Sequence, residues 1–239
     1  MKKLKLWLLI LPFITIACSE DYTVKTKDTT AAASKKFNEF EKLQVSSDYL
    51  ENPFDKTGRI YNEILDIFCH NDFKLNSIEG AAILIDSVAM AYPELRSLSA
   101  DGRLHGKTQE MQWIINHDDP INEAILNSTL NEAARMSFSG FVQSFTLVAD
   151  APNESVHSMI VSYEQCILHS SKFSGNDKRI ILTTTSIVRY SVERKRKDKD
   201  WDTSVTKIAA ASLGANQDIA LSLKMALAVG ICQKKNITK

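Results

Sequence analysis

The sequence predicts an all-α fold: a single irregular helical bundle of about eight helices, with a buried helix at the C-terminal end. Three observations lead there. Apolar residues recur at three- and four-residue spacing through most of the chain beyond residue 35. The prolines past the N-terminal segment, Pro53, Pro93, Pro120 and Pro152, each fall at an expected helix boundary. No Asn-Gly or Asp-Gly pair separates two alternating runs, because Asp101-Gly102 lies between helical segments.

In chain order, Asn52-Pro53 reads as an N-cap followed by a first-turn proline. Phe54, Tyr61, Ile64, Leu65 and Phe68 then fall on one helical face. Ser77 caps a second helix whose stripe is Ala81, Leu84, Ile85, Val88 and Tyr92, ended by Pro93. Asp119-Pro120 opens a helix expected to run to Met136. Gly140 is expected to bend or break it before Phe141, Val142, Phe145 and Val148 carry the period on. Asn153, after Pro152, is expected to cap a helix with Val156, Met159, Ile160, Tyr163 and Ile167 inward, and Asp177 to cap the next. Ile180–Val192 is rich in β-branched residues, but Ile180, Ile181, Thr184, Ile187, Val188 and Ser191 also share a helical face. Helix is the reading adopted. In Ile219–Ile231 large and small residues alternate, a strand pattern too long for a typical strand. As a helix the same pattern is apolar on every side, which requires burial all round.

The N-terminus reads differently. Lys2, Lys3 and Lys5 precede an apolar run from Leu6 to Ile16, interrupted by Pro12 and Thr15; Ala17 and Cys18 follow. A basic start and a short apolar core describe a secretory signal and not a spanning helix. With cysteine after the cut, the segment resembles a bacterial lipoprotein signal, although Thr15 stands where leucine is usual. Residues 1–17 are therefore expected to be the signal peptide and Cys18 the acylated attachment point. Residues 18–34, polar and aperiodic, read as a flexible tether, and 35–239 as the helical domain. Fatty chains contribute about 0.8 kcal/mol per buried CH₂, so the lipid suffices as a membrane anchor. Ile208–Cys232, the most apolar later stretch, contains Asp218 and Lys224. Each costs about 2.5–3.5 kcal/mol near a bilayer centre, so this stretch is not expected to span. Ser19, Glu20 and Asp21 resemble the short acidic signal that takes Bacteroidetes-type lipoproteins to the outer face of the outer membrane. Cell-surface exposure is the expected address, and a periplasm-facing position the alternative.

The whole sequence has equal numbers of basic and acidic residues. Loss of Lys2, Lys3 and Lys5 with the signal leaves the remainder at −3. That balance gives no case for nucleic acid as a partner. Beyond Cys18 the cysteines are Cys69, Cys166 and Cys232, all inside expected helices among large apolar residues. They are expected to be buried thiols; one disulfide with a thiol left over is the alternative.

Asn52-Pro53-Phe54-Asp55, with Gly58, Asn62 and Leu65 downstream, and the later segment Arg179–Tyr190 (RIILTTTSIVRY) carry a family resemblance. Together they make the chain similar to uncharacterised lipoproteins of Bacteroidetes-type bacteria. Those proteins open with Asn-Pro-Tyr-Asp, a glycine three residues on and a His-Asn pair. Tyr61 stands in place of that histidine here, so no role passes to it. The group's Gly/Ala-rich C-terminus is also thinned, to Gly214 and Gly230 beside Asp218 and Lys224. The resemblance implies an envelope lipoprotein with a helical domain and, since no activity is established for the group, no reaction.

Candidates for chemistry are few. Asn52, Pro53 and Asp55 make sense as helix-start chemistry alone, at about 0.3–2 kcal/mol each. Glu63, Asp66 and His70 share a helical face and could serve as acid and base or hold a metal, with His117, Asp118 and Asp119 as a second ligand source. The competing reading is a solvated face. Arg194, Lys195, Arg196 and Lys197 form the densest basic run, interleaved with acids. Either they complete a helix end against its dipole, or they touch anionic lipid or lipopolysaccharide. His105, His157 and His169 are isolated in sequence, and no hydrolase elbow, phosphate loop or metalloprotease motif occurs. No metal or cofactor is implied. The reading is a non-enzymatic lipoprotein that binds an envelope or extracellular component. Its rival is a metal-assisted envelope enzyme built on Glu63, Asp66 and His70, and a third possibility is insertion of Ile208–Cys232 into a target membrane.

Overall fold

A computed structural model of the chain describes residues 51–71, 73–98, 103–197 and 204–237. Cys18, the expected signal and tether, and Asp101-Gly102 lie outside the described residues. The described residues are all-helical, with no strand among them. Among the described residues are ten α-helices: α1 Asp55–His70, α2 Ile78–Ala89, α3 Pro93–Leu98, α4 Thr108–Asn116, α5 Pro120–Leu126, α6 Glu132–Val148, α7 Asn153–His169, α8 Gly175–Lys197, α9 Val205–Gln217 and α10 Ile219–Lys234. A 3₁₀ turn, Leu104–Lys107, precedes α4. The sequence led us to expect about eight. Two short helices were not anticipated: Pro93 starts the six-residue α3 and does not merely end its predecessor, and α4 had no expectation of its own; in addition, α5 and α6 divide at a different place.

That division corrects the expected break at Gly140. The chain leaves the helix at Asn127 and re-enters after Asn131, whose side-chain oxygen accepts the Ala134 N–H at 2.8 Å. Gly140 sits inside α6, and a Cβ added there would meet nothing within 4 Å. Sequence spacing found the apolar residues on both sides but placed the interruption at Gly140, since glycine is a recognised breaker and Asn127–Asn131 carries neither glycine nor proline. Three expected caps also shift. Ser77 and Asp119 cap α2 and α5 as anticipated. Asn52, however, lies two residues ahead of the α1 cap, Pro152 and not Asn153 is the cap of α7, and Ser174 and not Asp177 caps α8. Asp177 instead occupies the third helical position and accepts from Ser174 N–H and Oγ–H at 2.8 and 2.6 Å, the reciprocal half of a capping box. It also accepts from the Asn131 backbone and side chain, so one carboxylate joins the starts of α6 and α8.

α10 is the centre of the fold. Every residue from Ala220 to Cys232 is buried. Large residues at every second position point in all directions around a helix, so it is covered on all sides, by α1, α2, α3, α4, α8 and α9. Asp218 both ends α9 and caps α10, accepting the Leu221 N–H at 2.7 Å. Ile208–Cys232, the apolar stretch not expected to span, falls in two helices folded against each other in the core. No helix among the described residues is long and apolar enough to cross a membrane. Their closeness depends on Gly214, where a Cβ would lie 2.5 Å from the Ser222 Cα. The described residues all belong to one compact unit.

The thiols differ from expectation. All three are free, but only Cys232 is buried, and burial pushes its thiol up to about 11. Cys166 is half-buried and Cys69 is exposed near the end of α1, where the apolar face has rotated past it.

Two glycine substitutions separate these constraints. Gly214→Val should lower stability in urea unfolding by about 3 kcal/mol, because backbone and not a movable side chain blocks the new atoms. Gly140→Ala should raise it by about 0.5–1 kcal/mol, through the better helix propensity of alanine.

Candidate functional site

The N-terminal motif and the Arg179–Tyr190 segment, far apart in sequence, meet in space. Arg189 is fully buried on α8. Its Nη2 donates to Asp55 Oδ1 at 2.5 Å, and its Nε lies 3.3 Å from Glu164 Oε2 on α7. Tyr190 donates its hydroxyl to the other Asp55 oxygen at 3.2 Å. Asn52 donates to Glu164 Oε1 at 3.0 Å and to the Leu182 carbonyl at 3.1 Å, while its own oxygen accepts the Phe54 N–H at 2.9 Å. Asn52 is therefore not the helix cap expected; its amide is spent on holding α7 and α8. Gly58 completes the joint. Its N–H donates to Ser186 Oγ at 3.1 Å, and a Cβ there would fall 2.4 Å from the Tyr190 ring. Pro53 is exposed, and Phe54 and Asn62 are half-buried.

One guanidinium thus serves two carboxylates in a dry interior. Burial pushes Glu164 up to about 7 and Asp55 adds repulsion, against the favourable Arg189 charge and hydrogen bonds from Thr185 and Asn52. With Glu164 holding a proton, the remaining pair is neutral overall; with Glu164 ionised, a net negative charge is buried. This cluster is sealed in the fold and reads as a structural joint. Tyr61, standing where the resembling group has histidine, is also wholly buried, which pushes its phenol above the ordinary value.

Glu63, Asp66 and His70 do lie on one side of α1, but each turns to a different partner. Glu63 accepts from Arg59 at 2.8 Å, Asp66 from Arg194, and the His70 Nδ1 lies 2.8 Å from the Asp66 carbonyl oxygen. His117 is on the exposed end of α4, paired with Glu123 at 2.9 Å and stacked on Trp113. A Glu-x-x-His spacing at Glu154 and His157 opens α7. Among the described residues no three His, Cys, Asp or Glu side chains group closely enough to share a metal ion.

The basic run ends α8, as expected of cations at a negative helix end. Arg194 is nevertheless buried against Asp66, and Lys195 reaches Asp150 at 3.7 Å and the Ala149 carbonyl at 3.4 Å. Arg194 is therefore not available to a lipid headgroup. The side chains of Arg196 and Lys197 lie outside the described residues.

A concave site does exist, elsewhere. A cleft of about 660 Å³ opens between α2, α3, the 3₁₀ turn and α10. Lys224, the one charge in the buried stretch Ala220–Cys232 of α10, donates to Asp86 Oδ1 at 2.9 Å. The second Asp86 oxygen accepts the N–H groups of Leu104 and His105 at 2.9 and 3.3 Å. Arg96 donates through Nε and Nη2 to the Met90 carbonyl at 3.1 and 2.6 Å. Ile83 and Met90, 60 and 59 % exposed, flank the opening.

No protein family, curated protein or solved structure matches this chain. The site is therefore read from its own chemistry.

Sequence reasoning missed Glu164, although a signal was present. It lies four residues after Ile160 and three before Ile167, inside the apolar stripe of α7, where a carboxylate must be compensated. The cleft had no comparable signal, since Asp86, Arg96 and Lys224 come from three separate helices.

The pH dependence of the joint follows from Glu164. Below about 4.5 both folded and unfolded chains hold its proton; between 4.5 and about 7 only the folded chain does. Stability therefore falls as pH rises through that window, and the full penalty is present above it. Urea titrations of the wild-type protein and Glu164→Gln from pH 4.5 to 8 should show the variant gaining on the wild type as pH rises. A constant difference would contradict the assignment. Arg189→Met, which strands two buried carboxylates, should cost about 3–5 kcal/mol at pH 7 in the same assay.

Proposed function

We propose that this chain is a lipid-anchored cell-envelope lipoprotein of the outer membrane, exposed at the cell surface, and that its helical domain is a non-enzymatic binding module. The observation that carries this reading is the N-terminal pattern: three lysines, a short apolar core, Ala17 and then Cys18. The acidic Ser19-Glu20-Asp21 sequence and the likeness to Bacteroidetes-type lipoproteins support the surface address.

The fold supports the binding half of the reading. Two of the residues that suggested catalysis are already engaged: Glu63 with Arg59 one turn away on α1, and Asp66 with Arg194, which ties α1 to α8. The cleft offers concave, mostly apolar walls with a few placed charges, the usual character of a small-molecule binding site. The protein's partners on this reading are the membrane, through its N-terminal lipid, and a component of the envelope or surroundings.

Expression in a bacterium with a lipoprotein pathway, fed an alkyne-tagged fatty acid, tests the anchor. The wild-type protein should carry the tag and stay with membranes through a carbonate wash. Cys18→Ser should lose both properties. An untagged wild-type protein that washes free would overturn the proposal.

A further inference from the structure

We propose that the cleft between α2, α3 and α10 binds a small organic acid: a carboxylate carried on a single acyl body of medium length. This names a ligand class for the binding module proposed above and rests on that reading of the domain, but not on where the protein is anchored.

The charges around the cleft are unequal. Among the described residues, Arg96, Arg103 and Lys224 line it against the single carboxylate of Asp86. Asp86 is already committed, with one oxygen on Lys224 and the other on two backbone N–H groups that tie the 3₁₀ turn to α2. Its charge offsets that of Lys224, and the surplus is that of the two arginines. Arg96 is held by a neutral acceptor, the Met90 carbonyl, so that contact fixes its guanidinium without offsetting its charge. A planar guanidinium donates two parallel hydrogen bonds to a carboxylate, which makes it the natural receptor for that head group.

The apolar part of the ligand is indicated by the walls. Ile83 and Met90 are among the most exposed large apolar side chains of the described residues, and both flank this one opening, with Leu95 and Ala220 deeper inside. Isolated exposed apolar residues are ordinary; a pair facing the same concave space is a binding feature. Methionine adapts to flexible chains of varied shape. The space of about 660 Å³ lies in the range that encloses one small ligand. The described charges disfavour a cation, and a strongly hydrated inorganic anion would leave the walls unused.

Equilibrium dialysis of radiolabelled decanoate against the purified full-length protein tests this. Ser87→Trp, which places an indole at an exposed lining position, serves as a blank in the same detergent. The wild-type protein should take up one decanoate per chain, and Ser87→Trp none. R96Q/R103Q should weaken decanoate about tenfold while leaving decanol unchanged, since only the carboxylate loses its partners. Thermal unfolding monitors the fold of each variant. No saturable uptake above the blank would overturn the proposal. So would decanol binding as tightly as decanoate, or anionic phospholipid vesicles binding in its place with the same sensitivity to Ser87→Trp. Loss of the Cys18 anchor with decanoate uptake intact would remove the address alone. A secure anchor with no uptake would remove the ligand alone.

Discussion

Arg189 sits where three parts of the chain must agree. Its guanidinium bonds Asp55 at the start of α1 and faces Glu164 on α7, all within the dry interior. A buried ion cluster is not inherently more stabilising than apolar packing, because desolvation consumes most of the Coulomb attraction. What it imposes is uniqueness. A helix that slid or rotated would strand a charge at a cost of several kcal/mol, whereas a slipped leucine costs less. α1, α7 and α8 are thereby locked in one register. Asn52, Ser186 and Tyr190 refine the lock, and Gly58 lets the backbones come close enough for it.

The same economy recurs around α10. One lysine in an otherwise apolar central helix is paired with Asp86, which in turn secures the 3₁₀ turn through two N–H groups. In both places a buried charge fixes orientation while alkyl packing supplies the bulk of the stabilisation. The difference lies in access. The Arg189 cluster is sealed, whereas the Lys224–Asp86 pair borders an open cleft with two more cations near its mouth. That contrast separates a joint from a binding site.

Helices were legible because their signals are local. Period, proline placement and the alternation in Ile219–Ile231 all act within a few turns, and the helical reading of Ile180–Val192 holds despite its β-branched content because burial on every side outweighs propensity. Boundaries were less legible. Asn127–Asn131 breaks the chain with neither glycine nor proline to mark it, and Asn52 reads as a cap by type but spends its amide on residues 112 and 130 positions away. The Asn-Pro-Phe-Asp motif was visible, yet its partners were not, since no local rule links Asp55 to Arg189. Arg194 looked like part of a solvated basic run and is buried against Asp66, a pairing only the tertiary fold creates. The cleft was invisible for the same reason: its charges are unremarkable until three helices bring them together.

The Arg189 joint also sets an order of events. Its acidic and amide partners, at positions 52, 55 and 164, all leave the ribosome before the arginine that reconciles them. Until residue 189 has emerged, α1 can form as a helix but lacks α8 and α10, the elements it chiefly packs on, and a fragment ending earlier carries two carboxylates with no counter-charge for a dry interior. Assembly of this domain is therefore a late, long-range closure and not a progressive winding from the front.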